Sequence, residues 1–175
     1  MADDFQFGIT MSGMAQENFS TCWYSSYKMA LAAAGKGSID IDAVLNGVGL
    51  DVNDAKENGL KDTDYPVAAK ALGFTQFSGK LYNQTPSAWD WGLSDYAEAF
   101  LSVLQRGPLW VSRAGTKSNH IVLAYGYSSS GDKIWYANPW APSQNDARQV
   151  WMKANDFVSR ITGDTAAVQL HSSYK

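Results

Sequence analysis

The chain of 175 residues changes its pattern of apolar residues near position 108. Before this position, apolar residues recur at helical spacing, and glycine or proline separates the segments. After it, short apolar runs with a period of two predominate, which is typical of strands. Blocks of helices and of strands indicate an α+β fold with an antiparallel sheet. We expect one domain over residues 1–175, with a helical part over about 1–107 and a β part over about 108–175.

Four helices are predicted in the helical part. The first begins at Cys22, after a capping Ser20 or Thr21, and ends near Ala34, because Gly35 follows. The chain's only cysteine therefore lies in the first turn of a helix. The other three helices are predicted within residues 38–47, 62–73 and 94–108.

The clearest strand pair is a hairpin with a turn of serine, glycine and aspartate over residues 128–132. With that loop, His120 lies opposite position 140 and Asn138 opposite Val122. The two side chains are then about 7 Å apart along the strands, a gap that a bulge or a longer loop would close. The hairpin therefore predicts an imidazole beside a carboxamide. Further strands are predicted at 108–113, 148–152 and 166–171, with a short helix at 155–160.

Composition argues against several classes of function. The formal net charge of −3 and the isoelectric point near 5.2 indicate no basic surface for nucleic acid or an anionic membrane. The N-terminus is acidic and lacks the apolar segment of a signal peptide, and no run approaches a membrane span. One cysteine excludes an internal disulfide, and two histidines are too few for a usual Cys/His zinc site. Cys22 is therefore expected to be a free thiol.

The candidate residues together predict an activated cysteine. A helix N-terminus and a nearby imidazolium both lower a thiol pKa, and Cys22 has the first of these features. His120 is the candidate base, and Asn138 would accept a hydrogen bond from its other ring nitrogen. Gln16, six residues before Cys22, is placed to form an oxyanion hole with the backbone N–H of the cysteine.

The sequence around these residues resembles that of a papain-like cysteine peptidase. The matches are Gln16 ahead of "CW" at the start of a long helix, "NHIVLAYGY" around His120 and "NPW" from Asn138 to Trp140, in the family's order. "FSTCW" replaces the "CGSCW" of the eukaryotic lysosomal-type enzymes, and no propeptide is expected. The compact chain is more similar to bacterial members: staphopain-like enzymes, AvrRpt2-type effectors and secreted papain-like toxin domains.

The resemblance implies a fold and an activity. The fold would have a helical N-terminal lobe and an antiparallel β C-terminal lobe, with the active site in the cleft between them. The activity would be hydrolysis of peptide bonds in a polypeptide substrate, with Cys22 as nucleophile and with neither cofactor nor metal. Trp140, two residues after the asparagine, would shield the His–Asn hydrogen bond from water, and Trp23 would support the triad.

A start without a signal peptide predicts either a cytoplasmic enzyme or a bacterial effector or toxin exported by a signal-peptide-independent secretion system. A protease without a propeptide endangers its producer, so we favour the effector, with a cognate inhibitor or immunity protein. Two other functions stay open: a thiol amidase or deamidase acting on peptidoglycan or on a target side chain, and an inert binding module of the same fold.

Other residues have plainer interpretations. His171 has no partner motif and is interpreted as structural. Trp89 and Trp91 are placed in a loop before the fourth helix, where they would anchor the core or, as the alternative, contact a substrate or partner. Should the third triad member not be the asparagine, Asp132 and Asp146 are the next carboxylates to test.

Overall fold

The computed structural model of the protein describes residues 3–83, 93–116 and 118–174. Within these ranges, helices and an antiparallel sheet form an α+β fold, as the sequence predicts. Trp89 and Trp91 lie outside the described residues, so their placement stays a prediction. None of the helices in these ranges is long and apolar enough to cross a membrane.

The described ranges contain six α-helices and two short 3₁₀ turns. The α-helices are α1 (Cys22–Ala33), α2 (Ile41–Gly47), α3 (Val52–Asn58), α4 (Tyr65–Ala71), α5 (Asp95–Leu104) and α6 (Ala154–Ser159). The 3₁₀ turns are Asp62–Asp64 and Gly79–Leu81. The third predicted helix is thus divided between the first of these turns and α4.

Side-chain caps mark the starts of three helices, α2, α3 and α5. The predicted start at Cys22 is confirmed, but Thr21 before it makes no side-chain capping bond, so the predicted cap is wrong. The start after Ser94 is confirmed with its cap, because the Ser94 hydroxyl accepts a hydrogen bond from a backbone N–H of the first turn of α5. Helix α2 begins later than predicted, because Asp40 rather than Ser38 is its cap. Helix α3, capped by Asp51, was not predicted, because its seven residues are too few to show a clear helical period.

The sheet has seven strands within the described ranges. They are β1 (Phe5–Gln6), β2 (Phe74–Phe77), β3 (Leu109–Ala114), β4 (Asn119–Ser128), β5 (Lys133–Asn138), β6 (Arg148–Lys153) and β7 (Val168–His171). Their order is β2-β7-β3-β4-β5-β6, and β1 pairs with the end of β4. The first part of the chain is therefore not purely helical, since β1 and β2 join the sheet. These short strands are stabilised by pairing with strands that are distant in the sequence. A local sequence pattern does not reveal such pairing.

The β4–β5 hairpin has the predicted register at its open end, but for a different reason. The turn is one residue shorter than predicted, because Ser128 pairs with Lys133. One extra residue, Tyr125, then forms a β-bulge in β4, beyond which Leu123 pairs with Ala137. A shorter turn and a bulge together give the register that a longer turn would have produced.

The bulge decides on which faces of the sheet His120 and Asn138 lie. In the register next to the turn, Asn138 would lie opposite Leu123, three residues from His120, and the two side chains would point to opposite faces. Beyond the bulge, it lies opposite Val122, two residues away, and both side chains point to one face. The packing agrees with this change of face. Val122 and Tyr127 lie on opposite sides of the bulge and are an odd number of residues apart, yet both belong to the same core.

Two apolar cores cover the two faces of the sheet. Helix α1 packs on one face, where Trp23, Tyr27 and Trp110 are fully buried and Ile121 of β4 contributes. Helices α5 and α6 belong to the core on the other face, to which Val122 of β4 contributes. The strand that carries His120 is therefore packed from both sides, which fixes its position.

Candidate active site

Helix α1 places the cysteine against strand β4. Cys22 is 6% exposed, and its Sγ accepts a hydrogen bond from the N–H of Ile121 at 3.5 Å. One turn later, the Ser26 hydroxyl donates to the carbonyl of the same Ile121 at 3.3 Å. Residues four apart lie on one face of a helix, so these two side chains bind both backbone groups of the residue next to His120.

Buried tryptophans hold the start of α1. The Trp23 indole N–H donates to the carbonyl of Ala55 at 3.1 Å, and the Trp23 carbonyl accepts from the indole N–H of Trp110 at 3.2 Å. A buried indole N–H normally has such a partner. These bonds fix the backbone directly after the cysteine.

The strand pair β4–β5 joins the histidine to the asparagine. Nε2 of His120 lies 2.7 Å from Oδ1 of Asn138. The same Oδ1 accepts the backbone N–H of Trp140 at 3.0 Å, which assigns this atom as the amide oxygen. Nε2 of His120 must therefore carry the proton of this bond, and Nδ1 of the neutral ring is left with a free lone pair.

The thiol and the imidazole lie at the same end of β4 without being bonded to each other. In the part of the chain that the structure describes, Cys22 makes no hydrogen bond to His120, and its partner is the N–H of the next residue, Ile121. Catalytic hydrogen bonds are often absent from a free enzyme and form in the complex with substrate.

Two adjoining cavities contain the candidate residues. Cys22 lines a cavity of about 410 Å³. His120, Asn138 and Gln16 line a second one of about 250 Å³. Both are lined by Phe19, Ser118 and Asn119, so the cavity of the nucleophile and the cavity of the base share a border.

Burial controls the protonation of both groups. It raises the pKa of the Cys22 thiol, against the smaller lowering effect of backbone N–H groups such as that of Ile121. It also lowers the pKa of His120, which the hydrogen bond to Asn138 opposes and the positive charge of Arg113 reinforces. The sequence predicted a lowered thiol pKa, and this direction is wrong for the free enzyme. At neutral pH, burial therefore favours the uncharged form of each group.

A comparison with protein families agrees with this arrangement. Residues 6–156 match the family model described as papain-like cysteine protease AvrRpt2. The chain belongs to this family. It is therefore a papain-like cysteine peptidase of the AvrRpt2 type, as the resemblance implied. A search of curated protein sequences finds no match. The match spans all four candidate residues of the site, from Gln16 to Asn138.

In this AvrRpt2-family peptidase, Gln16 is bonded to its own loop. Its Nε2 donates to the carbonyls of Asn18 at 2.7 Å and Phe19 at 3.2 Å, which uses both amide hydrogens. Its backbone N–H donates to the carbonyl of Pro139 at 2.9 Å, which joins the loop to the segment that follows Asn138. An oxyanion would have to replace one of the two side-chain bonds, so the oxyanion role stays a prediction.

Trp140 lies at the rim of the site. The residue is 39% exposed, and its ring meets the ring of Phe19 edge-to-face, with centroids 5.8 Å apart. Its backbone N–H is bound to Asn138, and its side chain lines the His120 cavity. The contact that orients the asparagine therefore comes from the backbone of Trp140, and shielding by its ring stays a prediction.

The remaining candidates, Asp132, Asp146 and His171, interact with other residues. Oδ1 of Asp132, in the hairpin turn, accepts the Tyr127 hydroxyl, and Oδ1 of Asp146 accepts the N–H of Gly13. His171 bonds to Ser173 through Nδ1 and packs on a phenylalanine ring, in keeping with a structural role. Among the described residues, no group of three His, Cys, Asp or Glu side chains is placed to hold a metal ion.

Sequence reasoning missed one residue beside the site. Arg113 of β3 is the cross-strand partner of His120 and is 7% exposed. Nothing in the strand pattern around it distinguishes this arginine from one at an exposed strand end. Only the pairing of β3 with β4 shows where it lies.

Proposed function

We propose that this peptidase hydrolyses peptide bonds through a triad of Cys22, His120 and Asn138. The observation that carries the proposal is the 2.7 Å contact between His120 and Asn138, whose oxygen also holds the Trp140 N–H. This pair leaves Nδ1 of the imidazole as a base at the end of β4, where the thiol contacts the next residue.

In the first half of the reaction, Sγ of Cys22 attacks the scissile carbonyl carbon while Nδ1 of His120 takes the thiol proton. The carbonyl electron pair moves to the oxygen and then returns as the C–N bond breaks. The imidazolium gives its proton to the leaving amine, and a thioester remains on the enzyme.

In the second half, water attacks the thioester and gives a proton to Nδ1 of His120. Collapse of the intermediate releases the carboxylic acid and returns the proton to Cys22. Asn138 holds the ring throughout, so that Nδ1 faces the reacting atoms.

The oxyanion would be bound by the backbone N–H of Cys22 and by the side-chain amide of Gln16. Because both hydrogens of that amide are held by the carbonyls of Asn18 and Phe19, the amide must turn away from one carbonyl when substrate arrives. The mechanism therefore includes a rearrangement of the loop before α1.

We also propose that the polypeptide substrate lies in a cleft between a helical and a β lobe. In support, the nucleophile comes from α1 in the first part of the chain, and the base and its partner come from β4 and β5 in the second. In addition, the ring of Phe19, from the first part of the chain, contacts the ring of Trp140, from the second part.

Three assays test the proposed function together. The protein is treated with a papain-type epoxide inhibitor, and the adduct is located by mass spectrometry. Casein and a broad peptide library are then offered to the protein, to Cys22→Ala and, as a control at an exposed asparagine between β5 and β6, to Asn145→Ala. We expect an adduct on Cys22, cleavage by the protein and by Asn145→Ala, and loss of cleavage by at least about 10⁴-fold in Cys22→Ala.

Two outcomes would replace the proposal. Hydrolysis of peptidoglycan fragments, or deamidation of a target protein, with casein and the library intact would assign a thiol amidase or deamidase. An unmodified Cys22 with no turnover of any of these substrates would indicate an inert binding module.

For biological role, we propose an exported effector or toxin that an immunity protein restrains in its producer. Support comes from the match to the family model described as papain-like cysteine protease AvrRpt2. Expression in the cytosol of a sensitive cell should slow growth, and Cys22→Ala should not. Equal growth with both proteins would contradict this role.

A further inference from the structure

Phe19 occupies an unusual place beside the nucleophile. The residue is 60% exposed, although it lies only three positions before the buried Cys22. Among the described residues, it alone lines all three cavities around the site: that of Cys22, that of His120 and a third of about 570 Å³. An exposed aromatic ring at such a junction is a candidate contact for substrate.

The third cavity continues from the cavity of His120. These two cavities share Gln16, Phe19 and Trp140, whereas Phe19 is the one described residue that the third cavity shares with that of Cys22. In the proposed reaction, the acyl half of the substrate is bonded to Cys22, and the leaving amine takes its proton from His120. The first residue of the leaving half therefore lies in the cavity of His120, and the chain after it passes Phe19 into the third cavity.

The surface that the leaving half crosses is largely apolar. Two of the three residues at the border between these cavities are aromatic, and the rings of Phe19 and Trp140 meet edge-to-face there. A large apolar side chain is stabilised when it covers exposed ring surface, because that surface leaves water. The border therefore favours such a side chain on the first residue after the scissile bond.

The backbone of Phe19 also binds the amide of Gln16. Nε2 of this amide donates to the carbonyl of Asn18 at 2.7 Å and to that of Phe19 at 3.2 Å. Asn18 is fixed in a turn, because its side chain accepts the N–H of Ser20 and its carbonyl also accepts the hydroxyl of Thr21. In the described ranges, the amide is the one hydrogen-bond partner of the Phe19 carbonyl. The longer bond, to Phe19, is therefore the one that breaks when the amide turns towards an oxyanion.

The other end of the same amide is unsatisfied. Oε1 of Gln16 is buried, and no described residue gives it a hydrogen bond. A buried carbonyl oxygen without a partner is unfavourable, so the present orientation of the amide is disfavoured at one end. A modest displacement of Phe19 is then enough to exchange this orientation for another.

We propose that Phe19 is a specificity-determining residue that couples a large apolar side chain, directly after the scissile bond, to the release of the Gln16 amide for the oxyanion. The inference rests on the proposed function of Gln16. The substrate side chain binds on the Phe19 ring and displaces it, and the Phe19 carbonyl moves with the ring. Substrates with a small side chain at this position leave the amide bonded to its loop.

The first test needs no turnover. The ¹⁵N-labelled Cys22→Ala protein is titrated with leucyl-glycyl-glycine amide, which mimics the leaving half, and with its alanyl counterpart. We expect the leucyl peptide to shift the side-chain amide signals of Gln16, which are assigned by their loss in Gln16→Ala. At equal bound fraction, the alanyl peptide should shift them less than about half as much. The buried amide of Gln169 is the internal control and should not move.

The second test compares two cleaved peptides that differ in a leucine or an alanine directly after the scissile bond. We expect a kcat at least about tenfold higher for leucine with similar KM values, because the binding energy of the side chain is used to turn the amide. Phe19→Ala should remove this preference, and Phe19→Tyr, which keeps the ring, should retain it. Trp151→Ala is the control, because this exposed aromatic residue of β6 lines none of the three cavities.

A double variant tests whether Phe19 acts through Gln16. On the leucine peptide, Phe19→Ala combined with Gln16→Ala should lose little kcat beyond Gln16→Ala alone, since Phe19 has no amide left to release. Multiplicative losses would overturn the coupling, as would a leucine preference that Phe19→Ala retains or that appears in KM alone.

The two tests separate this inference from the proposed function. A shift of the Gln16 signals with the leucyl peptide, in a protein that cleaves no peptide, would count against the proposed function alone. Peptide cleavage without any shift at Gln16, at any concentration of the leucyl peptide, would count against the role of Phe19 alone.

Discussion

On the strand side of the candidate active site, His120 and Asn138 already make the contact that the proposed mechanism requires, and the backbone N–H of Trp140 binds the same asparagine oxygen. On the helix side, Cys22 is bonded to a backbone N–H, and both amide hydrogens of Gln16 are bonded to the preceding loop. The two sides differ because a strand ladder fixes its side chains through many cooperative bonds, whereas a loop has a few bonds that are easily exchanged. We infer that the strand side is ready before substrate arrives and that the helix side rearranges.

The largest effect in this comparison is expected from the strand side. Asn138→Ala should reduce kcat/KM by about 10- to 1,000-fold with a normal thermal melt, because the ring loses its orienting partner while the nucleophile and base remain. Steady-state kinetics on a library-derived peptide measure the loss, with Asn145→Ala as control.

A double variant shows whether the two residues act together. Asn138→Ala combined with His120→Ala should lose little beyond His120→Ala, because an orienting residue has no effect without the ring. Multiplicative losses would mean that the residues act independently and that the third triad member must be sought elsewhere.

A smaller effect is expected on the helix side. Gln16→Ala should reduce kcat by about 10- to 100-fold with little change in KM, because the amide binds the oxyanion only in the transition state. If Gln16 serves only to hold its loop, KM and the melting temperature should change and kcat should not. Gln144→Ala, an exposed amide after the asparagine segment, is the matched control.

The pH dependence of thiol alkylation compares the two sides directly. Because burial raises the pKa of Cys22, its thiolate fraction lies below that of free cysteine at each acidic and neutral pH. Iodoacetamide should therefore react with Cys22 no faster than with free cysteine between about pH 5 and pH 8. The lowered pKa of His120 means that little imidazolium is present to change this, so His120→Ala should leave the rate nearly unaltered.

Rapid alkylation at mildly acidic pH that His120→Ala abolishes would reverse this expectation. It would mean that a thiolate–imidazolium pair already exists in the free enzyme, as the position of Cys22 at a helix start first indicated. The helix side would then be as ready as the strand side.

The smallest effect is expected where the two sides touch. Trp140→Ala removes an edge-to-face contact with Phe19 worth about 0.5–1.5 kcal/mol, but it keeps the backbone N–H that binds Asn138. We expect a melting temperature a few degrees lower and a loss of kcat/KM of less than about tenfold. A loss as large as that of Asn138→Ala would show that the ring, by excluding water, is as necessary as the orienting bond.

Much of the site was predictable because its signals are local. The start of α1 at Cys22 follows from a helical period and the polar residues before it, and the hairpin follows from its turn residues. The register at His120 was also correct, although a four-residue turn and a bulge at Tyr125 replace the longer loop that the sequence suggested. A shorter turn with a bulge and a longer turn without one give the same register. Counting residues along the hairpin therefore does not distinguish the two.

The sequence by itself identified the candidate residues for the chemistry of this peptidase and the helix and strands that present them. Tertiary structure alone decided that β1 and β2 join the sheet, that Arg113 faces His120, and that Gln16 is bonded to its loop. It also reversed the expected direction of the shift in the pKa of Cys22. A helix N-terminus is a local feature of the sequence, whereas burial under neighbouring elements is not. Local patterns set backbone conformation, but the surroundings of a charge depend on segments far apart in the chain.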